Sequence, residues 1–155
     1  MQHFSKLAIN KAMIKFPFTK KQVCDILSSQ KYIEIDYLWE SKKNRMIPVH
    51  VLEGKDLKDI GLVFAVWGGK AMGVSLWLGR QRIRGINRRG RHEDRDGNLV
   101  RGWHDHIEED GVVEPVTETF GNIDEVIDYA LDKWNIKKYG SMAPSLWNYR
   151  RRPKT

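Results

Sequence analysis

Cysteine is nearly absent: Cys24 is the only one in 155 residues. A single thiol excludes an intrachain disulfide and any cysteine-based zinc cluster, so a reducing, cytoplasmic setting is expected. Long apolar runs are missing too. None approaches the roughly 18 residues that a membrane-spanning helix requires, and no membrane partner is expected. The opening MQHFSKLAINKAMIKFPF has neither a clean apolar block nor a small-residue cleavage site. It is expected to be native sequence and not a signal peptide. Internal repeats and low-complexity segments are absent.

Apolar residues nonetheless make up 41% of the chain, with six Trp, five Tyr and five Phe. That is enough for one core and excludes global disorder. The length fits one domain over 1–155. Residues 1–16 form an N-terminal arm that reads equally as strand or short helix. Residues 140–155 form a basic, largely irregular tail, broken by Pro144 and Pro153, which Leu146, Trp147 and Tyr149 are placed to dock.

The net charge is +7, and its distribution matters more than its sum. Arg80, Arg82, Arg84, Arg88, Arg89 and Arg91 follow one another with no acid between them, and the tail adds Arg150, Arg151, Arg152 and Lys154. Acids collect instead between Glu108 and Asp132. A chain polarised in this way attracts polyanions, nucleic acid above all. Arginine suits bidentate phosphate contact better than lysine. These nine arginines are therefore the candidate nucleic-acid-binding residues.

Two helices follow from end signals. Thr19 with Gln22 forms a capping box, and Val23, Ile26 and Leu27 make an apolar face, which gives a helix over 19–29. Cys24 on this helix is expected to be a small buried residue. Asn122 with Glu125 opens a second helix, in which Ile123, Val126, Ile127, Ala130, Leu131 and Trp134 fall at helical spacing. Strands are expected at 32–39, 47–52, 62–67, 71–84, 99–108 and 112–116, with turns at Gly68-Gly69, Asp96-Gly97 and Asp110-Gly111. Trp77 is expected to pack under a helix. The fold class is α+β: a small antiparallel sheet of five to six strands flanked by an N-terminal and a C-terminal helix.

Three of the five histidines lie in RHEDRDGNLVRGWHDHIEEDG. Strand alternation puts His104, His106 and Glu108 on one face, and Trp103, Asp105 and Ile107 on the other. Trp103 and Ile107 look like core, so the histidines should face outward or into a cleft. Asp105, on the apolar side, needs a partner, and an arginine is expected. If the strands carrying Arg82 and Arg84 pair with this one, His92, His104, His106 and both arginines converge.

Three chemistries compete for such a cluster. His92, His104 and His106 can act as general acid and base beside arginines that hold a phosphate. His104 and His106 can bind a divalent metal, with His92, Asp94 or Glu108 as third ligand. Or the rings are simply polar residues on a sheet surface. Nearby arginines repel a cation, so the acid–base assignment ranks above the metal one, and no metal or cofactor is expected. His3 and His50 stand alone and are expected to be structural or exposed.

The stretch IRGINRRGRHEDRDGNLVRGWHDHIEEDG with the helix after it, residues 82–136, resembles the TumE-like toxins of toxin–antitoxin systems through Arg84, His92, Asp96-Gly97, Gly102, His104 and His106. An acid expected after the arginine is replaced by Gly85, Ile86 and Asn87. The resemblance implies a nucleic-acid-directed, chiefly RNA-directed, protein of a toxin–antitoxin system or mobile element, with an antitoxin as partner. As an enzyme it would be a metal-independent ribonuclease. Two alternatives are a non-enzymatic nucleic-acid binder and a phage-encoded inhibitor that contacts a host defence complex.

Overall fold

The computed structural model describes residues 16–34, 45–51 and 61–139. The arm 1–15, the run at 35–40 and the tail with Arg150, Arg151 and Arg152 lie outside the described residues.

Helix α1 spans Lys20–Ser28, and its start follows the local chemistry. Thr19 Oγ1 accepts from Gln22 N at 3.1 Å, and Gln22 Oε1 accepts from Thr19 N at 2.9 Å, so the box closes in both directions. Its far end is closed by side chains from elsewhere. The buried ammonium of Lys31 donates to the carbonyls of Ile26, Leu27 and Ser29, while Asn135 Nδ2 donates to that of Ser28. A helix leaves its last four carbonyls without internal partners, and here the fold supplies donors for them. Cys24 is exposed and not buried as expected: Val23 and Ile26 take the inward positions, and Cys24 lies beyond that stripe.

Helix α2 spans Ile123–Lys133. Asn122 Oδ1 accepts from Glu125 N at 3.0 Å, whereas the Glu125 carboxylate reaches past the cap to Gly121 N, so the expected box is half made. Val126, Ile127, Ala130, Leu131 and the following Trp134 are buried in the core with Phe64, Val74 and Leu76. Each large apolar side chain buried this way contributes roughly 1.5–3 kcal/mol.

The strands are β1 (Lys31–Glu34), β2 (Arg45–Pro48), β3 (His50–Val51), β4 (Leu62–Trp67), β5 (Gly73–Leu78), β6 (Gln81–Asn87), β7 (His92–Glu93), β8 (Leu99–Val100), β9 (His104–Ile107), β10 (Val112–Pro115) and β11 (Ile136–Tyr139). Six of them form one sheet in the order β10-β9-β6-β5-β4-β2, antiparallel throughout. This agrees with the α+β expectation. Two smaller sheets were not expected: β11-β1-β3, in which β1 and β11 run parallel, and the hairpin β7-β8.

The run 71–84 is not one strand. It folds back at Gly79-Arg80, where Gly79 adopts φ +60, and Leu78 faces Gln81 across the turn. A short 3-10 turn over Gly69–Ala71 precedes it. Each arm alternates by itself, but Leu78 and Gln81 share a face although they are three positions apart, so the two-residue turn shifts the alternation by one position. Within the hairpin the register shifts: Leu76 faces Arg84, but the next residue, Trp77, faces Arg82. Ile83 is thus the extra residue of a β-bulge, which re-aims the side chains beside it. Trp77 sits on the sheet face turned away from the helices, its indole donating to Ser75 Oγ at 2.7 Å, and not under a helix.

Candidate functional site

The histidines meet on the face of the sheet opposite the helices. On β9, His104 faces Asn87 and His106 faces Gly85 of β6. The third ring arrives on the β7-β8 hairpin. That hairpin is shaped by Asp94, whose Oδ1 accepts from Asp96 N and Asn98 N at 2.9 Å each, and by Gly97 at φ +81. Asp94 therefore builds the loop, and it takes no place among the gathered donors. The ring centroids lie 4.9 Å apart for His92–His104, 4.6 Å for His92–His106 and 4.9 Å for His104–His106. One nitrogen from each ring lies within 4.8 Å of the others.

The histidines do not face open solvent: His104 is fully buried and His106 is 9% exposed. His104 Nδ1 lies 2.8 Å from the Gly102 carbonyl, which can only accept, so this nitrogen carries the proton. Gly102 adopts φ +82, which turns the chain sharply just ahead of β9. His104 Nε2 is then a lone-pair donor, buried with no hydrogen-bond partner among the described residues. Burial, assisted by the charges of His92 and Arg82, lowers the pKa of His104 despite the Gly102 bond. Burial, followed by Arg82 and the neighbouring histidines, pushes His106 down to about 4. Both rings are neutral at neutral pH. A cavity of about 190 Å³ opens against His106 and His92, bordered by Arg82, Glu93 and Glu108.

The arginines do not form one strip. Arg82 reaches the histidine face, passing over Gly85, where a side chain would meet it. There it is held by Glu108, with Nε 2.9 Å and Nη2 2.7 Å from Oε1. Arg84 lies on the opposite face and makes a bidentate pair with Glu109, at 2.5 and 2.6 Å, both side chains about nine-tenths buried. The expected convergence thus takes in Arg82 but not Arg84, and neither guanidinium is unpaired. Arg80 is exposed on the Gly79 turn, at the other end of β6 from Arg88, Arg89 and Arg91. Arg88 lies over the Trp103 ring at 5.5 Å. Arg89 and Arg91 are exposed and have no carboxylate partner among the described residues. Arg84 is thus absent from the histidine face, and Arg82, the cation left beside the rings, is paired with Glu108.

Asp105 is buried on the helix face as its position required, but its partner is Lys133 of α2, 3.3 Å away, and not an arginine. Burial raises its pKa to about 6, opposed by Lys133 and Arg84. Lys133 gave no signal of this role in the sequence beyond its place in a helix's last turn. Glu108 was legible on the histidine face of its strand, but not as the partner of Arg82, and Glu109 only as an acid after that strand. Their pairing with alternate arginines depends on the bulge. His50 is exposed and stacks on Tyr32 at 4.9 Å.

No helix among the described residues is long and apolar enough to cross a membrane. No protein-family model, curated protein or solved structure matches the chain.

Proposed function

We propose that the protein acts on nucleic acid, RNA before DNA, and that the cluster of His92, His104 and His106 is where it acts on a phosphodiester. One observation carries this: the three imidazoles gather at the end of β6 from which Arg88, Arg89 and Arg91 emerge exposed. Exposed guanidinium groups grip a phosphate backbone without reading sequence, and imidazole nitrogens beside them accept the proton of an attacking hydroxyl. In RNA the 2′-hydroxyl is such a nucleophile: as its oxygen bonds to phosphorus the P–O5′ bond breaks, and a ring that has taken up a proton passes one to the departing 5′-oxygen, leaving a 2′,3′-cyclic phosphate. The resemblance to TumE-like toxins over 82–136 points the same way and adds an antitoxin as the natural partner.

The test is incubation of the pure protein with structured and single-stranded RNA, in EDTA and in Zn²⁺-supplemented buffer. Cleavage in either buffer, lost in His104→Ala/His106→Ala, is expected. Intact RNA in both buffers, or cleavage that survives the double substitution, rejects it. A second function, non-enzymatic binding, is favoured by Arg89 and Arg91, which are exposed and have no carboxylate partner among the described residues. It requires affinity that falls steeply with salt and ignores the histidines.

A further inference from the structure

We propose that His92, His104 and His106 form a three-nitrogen site for a divalent transition-metal ion of the Zn²⁺ class. This rests on the same residues as the proposed function but needs no nucleic acid.

Four observations support it. First, the donors are gathered from two separate elements: His104 and His106 from β9, His92 from the β7-β8 hairpin, with ligand nitrogens within 4.8 Å of one another. A tetrahedral ion at about 2.0–2.1 Å from each nitrogen holds them roughly 3.3 Å apart, so loading needs the nitrogens to close in by up to about 1.5 Å. Second, His104 Nε2 is buried and has no hydrogen-bond partner among the described residues. A buried polar atom left unsatisfied costs about 1–3 kcal/mol, and an ion between the rings would satisfy it. Third, the outer contacts are those of ligating histidines, whose second nitrogen is normally held by a carbonyl or carboxylate. His104 Nδ1 is held by the Gly102 carbonyl, and Glu108 stands 3.8 Å from His106 Nδ1. Fourth, the nearest cation, Arg82, is already paired with Glu108, and Arg84 lies across the sheet with Glu109.

The donor set also selects the ion. Three imidazoles and no first-contact carboxylate suit Zn²⁺, Co²⁺, Ni²⁺ or Cu²⁺ and not Mg²⁺ or Ca²⁺, which require oxygen. Three protein ligands leave a fourth position, the ligand count of hydrolytic zinc sites and not of closed structural ones. The cavity bordered by Glu93 and Glu108 lies against it.

The test is titration of the EDTA-stripped, dialysed full chain with Co²⁺ alone, followed in the visible spectrum. One equivalent should develop the intense band of a four- or five-coordinate ion, and Zn²⁺ should bleach it. His92→Ala, on an outer hairpin, should lower the affinity at least about tenfold with an unchanged far-ultraviolet circular dichroism spectrum. The control His3→Ala/His50→Ala should bind as wild type. No band, or a band of equal strength in His92→Ala, overturns the site. Should His104→Ala fail to fold, the His92 variant still decides. The two proposals fail separately. Cobalt bound at these histidines by a protein that leaves RNA intact keeps the metal site and rejects the nuclease. RNA cleaved at full rate in EDTA by a chain that takes up no cobalt does the reverse.

Discussion

Arg82 and Arg84 lie two positions apart on β6 and reach carboxylates on opposite faces of the sheet, Glu108 beside the histidines and Glu109 on the helix side. Simple alternation would have put them together. The bulge at Ile83 separates them, leaving Arg82 to the candidate site and Arg84 to the core.

Removing one half of a buried pair leaves the other charged and unpartnered. Arg84→Met should cost about 3–5 kcal/mol in urea unfolding, and Arg84→Met/Glu109→Leu should recover most of it. Arg82→Met, at a pair whose side chains are 31% and 23% exposed, should cost about 1 kcal/mol or less. Equal losses at the two arginines would contradict the division between faces.

Gly90 has φ +83, and a Cβ there would come within 2.8 Å of His92 Nε2. Gly97, in the adjoining hairpin, has φ +81 but no atom within 4 Å of the same position. Gly90→Ala and Gly97→Ala should therefore carry a similar backbone cost, about 1–2 kcal/mol, by thermal melting. Only Gly90→Ala should also displace His92 and weaken cobalt binding. Matching cobalt affinities in the two variants would show that His92 is not part of the cluster.

Arg89 and Arg91 are exposed and carry no ion pair among the described residues. If they hold phosphates, Arg89→Ala/Arg91→Ala should reduce the slope of log affinity for RNA against log salt by about 2. Stability should stay within about 0.5 kcal/mol of wild type. An unchanged slope in filter-binding assays would take both residues out of the interface.

Lys31 is buried, and its burial pushes the ammonium from 10.5 down to about 8. Between about pH 8 and 10.5 the unfolded chain holds a proton that the folded chain has released, so this group makes the fold more stable as pH rises. Melting of wild type against Lys31→Met at pH 7 and pH 9.5 should show the gap widening at the higher pH. A gap that narrows would mean that the three carbonyls around Lys31 hold its proton more tightly than burial expels it.

What could be read from the sequence was local. Thr19 with Gln22 and Asn122 marked both helix starts, because a cap is made by residues three apart. Asp96-Gly97 and Asp110-Gly111 marked their turns, because positive φ at Gly97 and Gly111 needs little more than glycine. The meeting of His92 with His104 and His106 was legible as one outcome among several. The Gly79-Arg80 reversal was hidden because the one-residue phase shift of its turn is cancelled by that of the bulge at Ile83, so the run 71–84 reads as one alternating strand. Ile83 looks like any strand residue, so the bulge that sorts the arginines left no mark. The burial of both β9 histidines depends on the β7-β8 hairpin folding over them, and the choice of Lys133 for Asp105 depends on how α2 lies on the sheet. Both are matters of tertiary packing.

The parallel pairing of β1 with β11 sets residues 31–34 against residues 136–139. Lys31 N also donates to Asn135 O, the residue whose φ of +59 turns the chain from α2 into β11. During synthesis β1 must wait for nearly all of the described chain to emerge before this partner exists. Closing so large a loop is entropically late work, and it makes β1–β11 docking the step expected to limit the refolding rate.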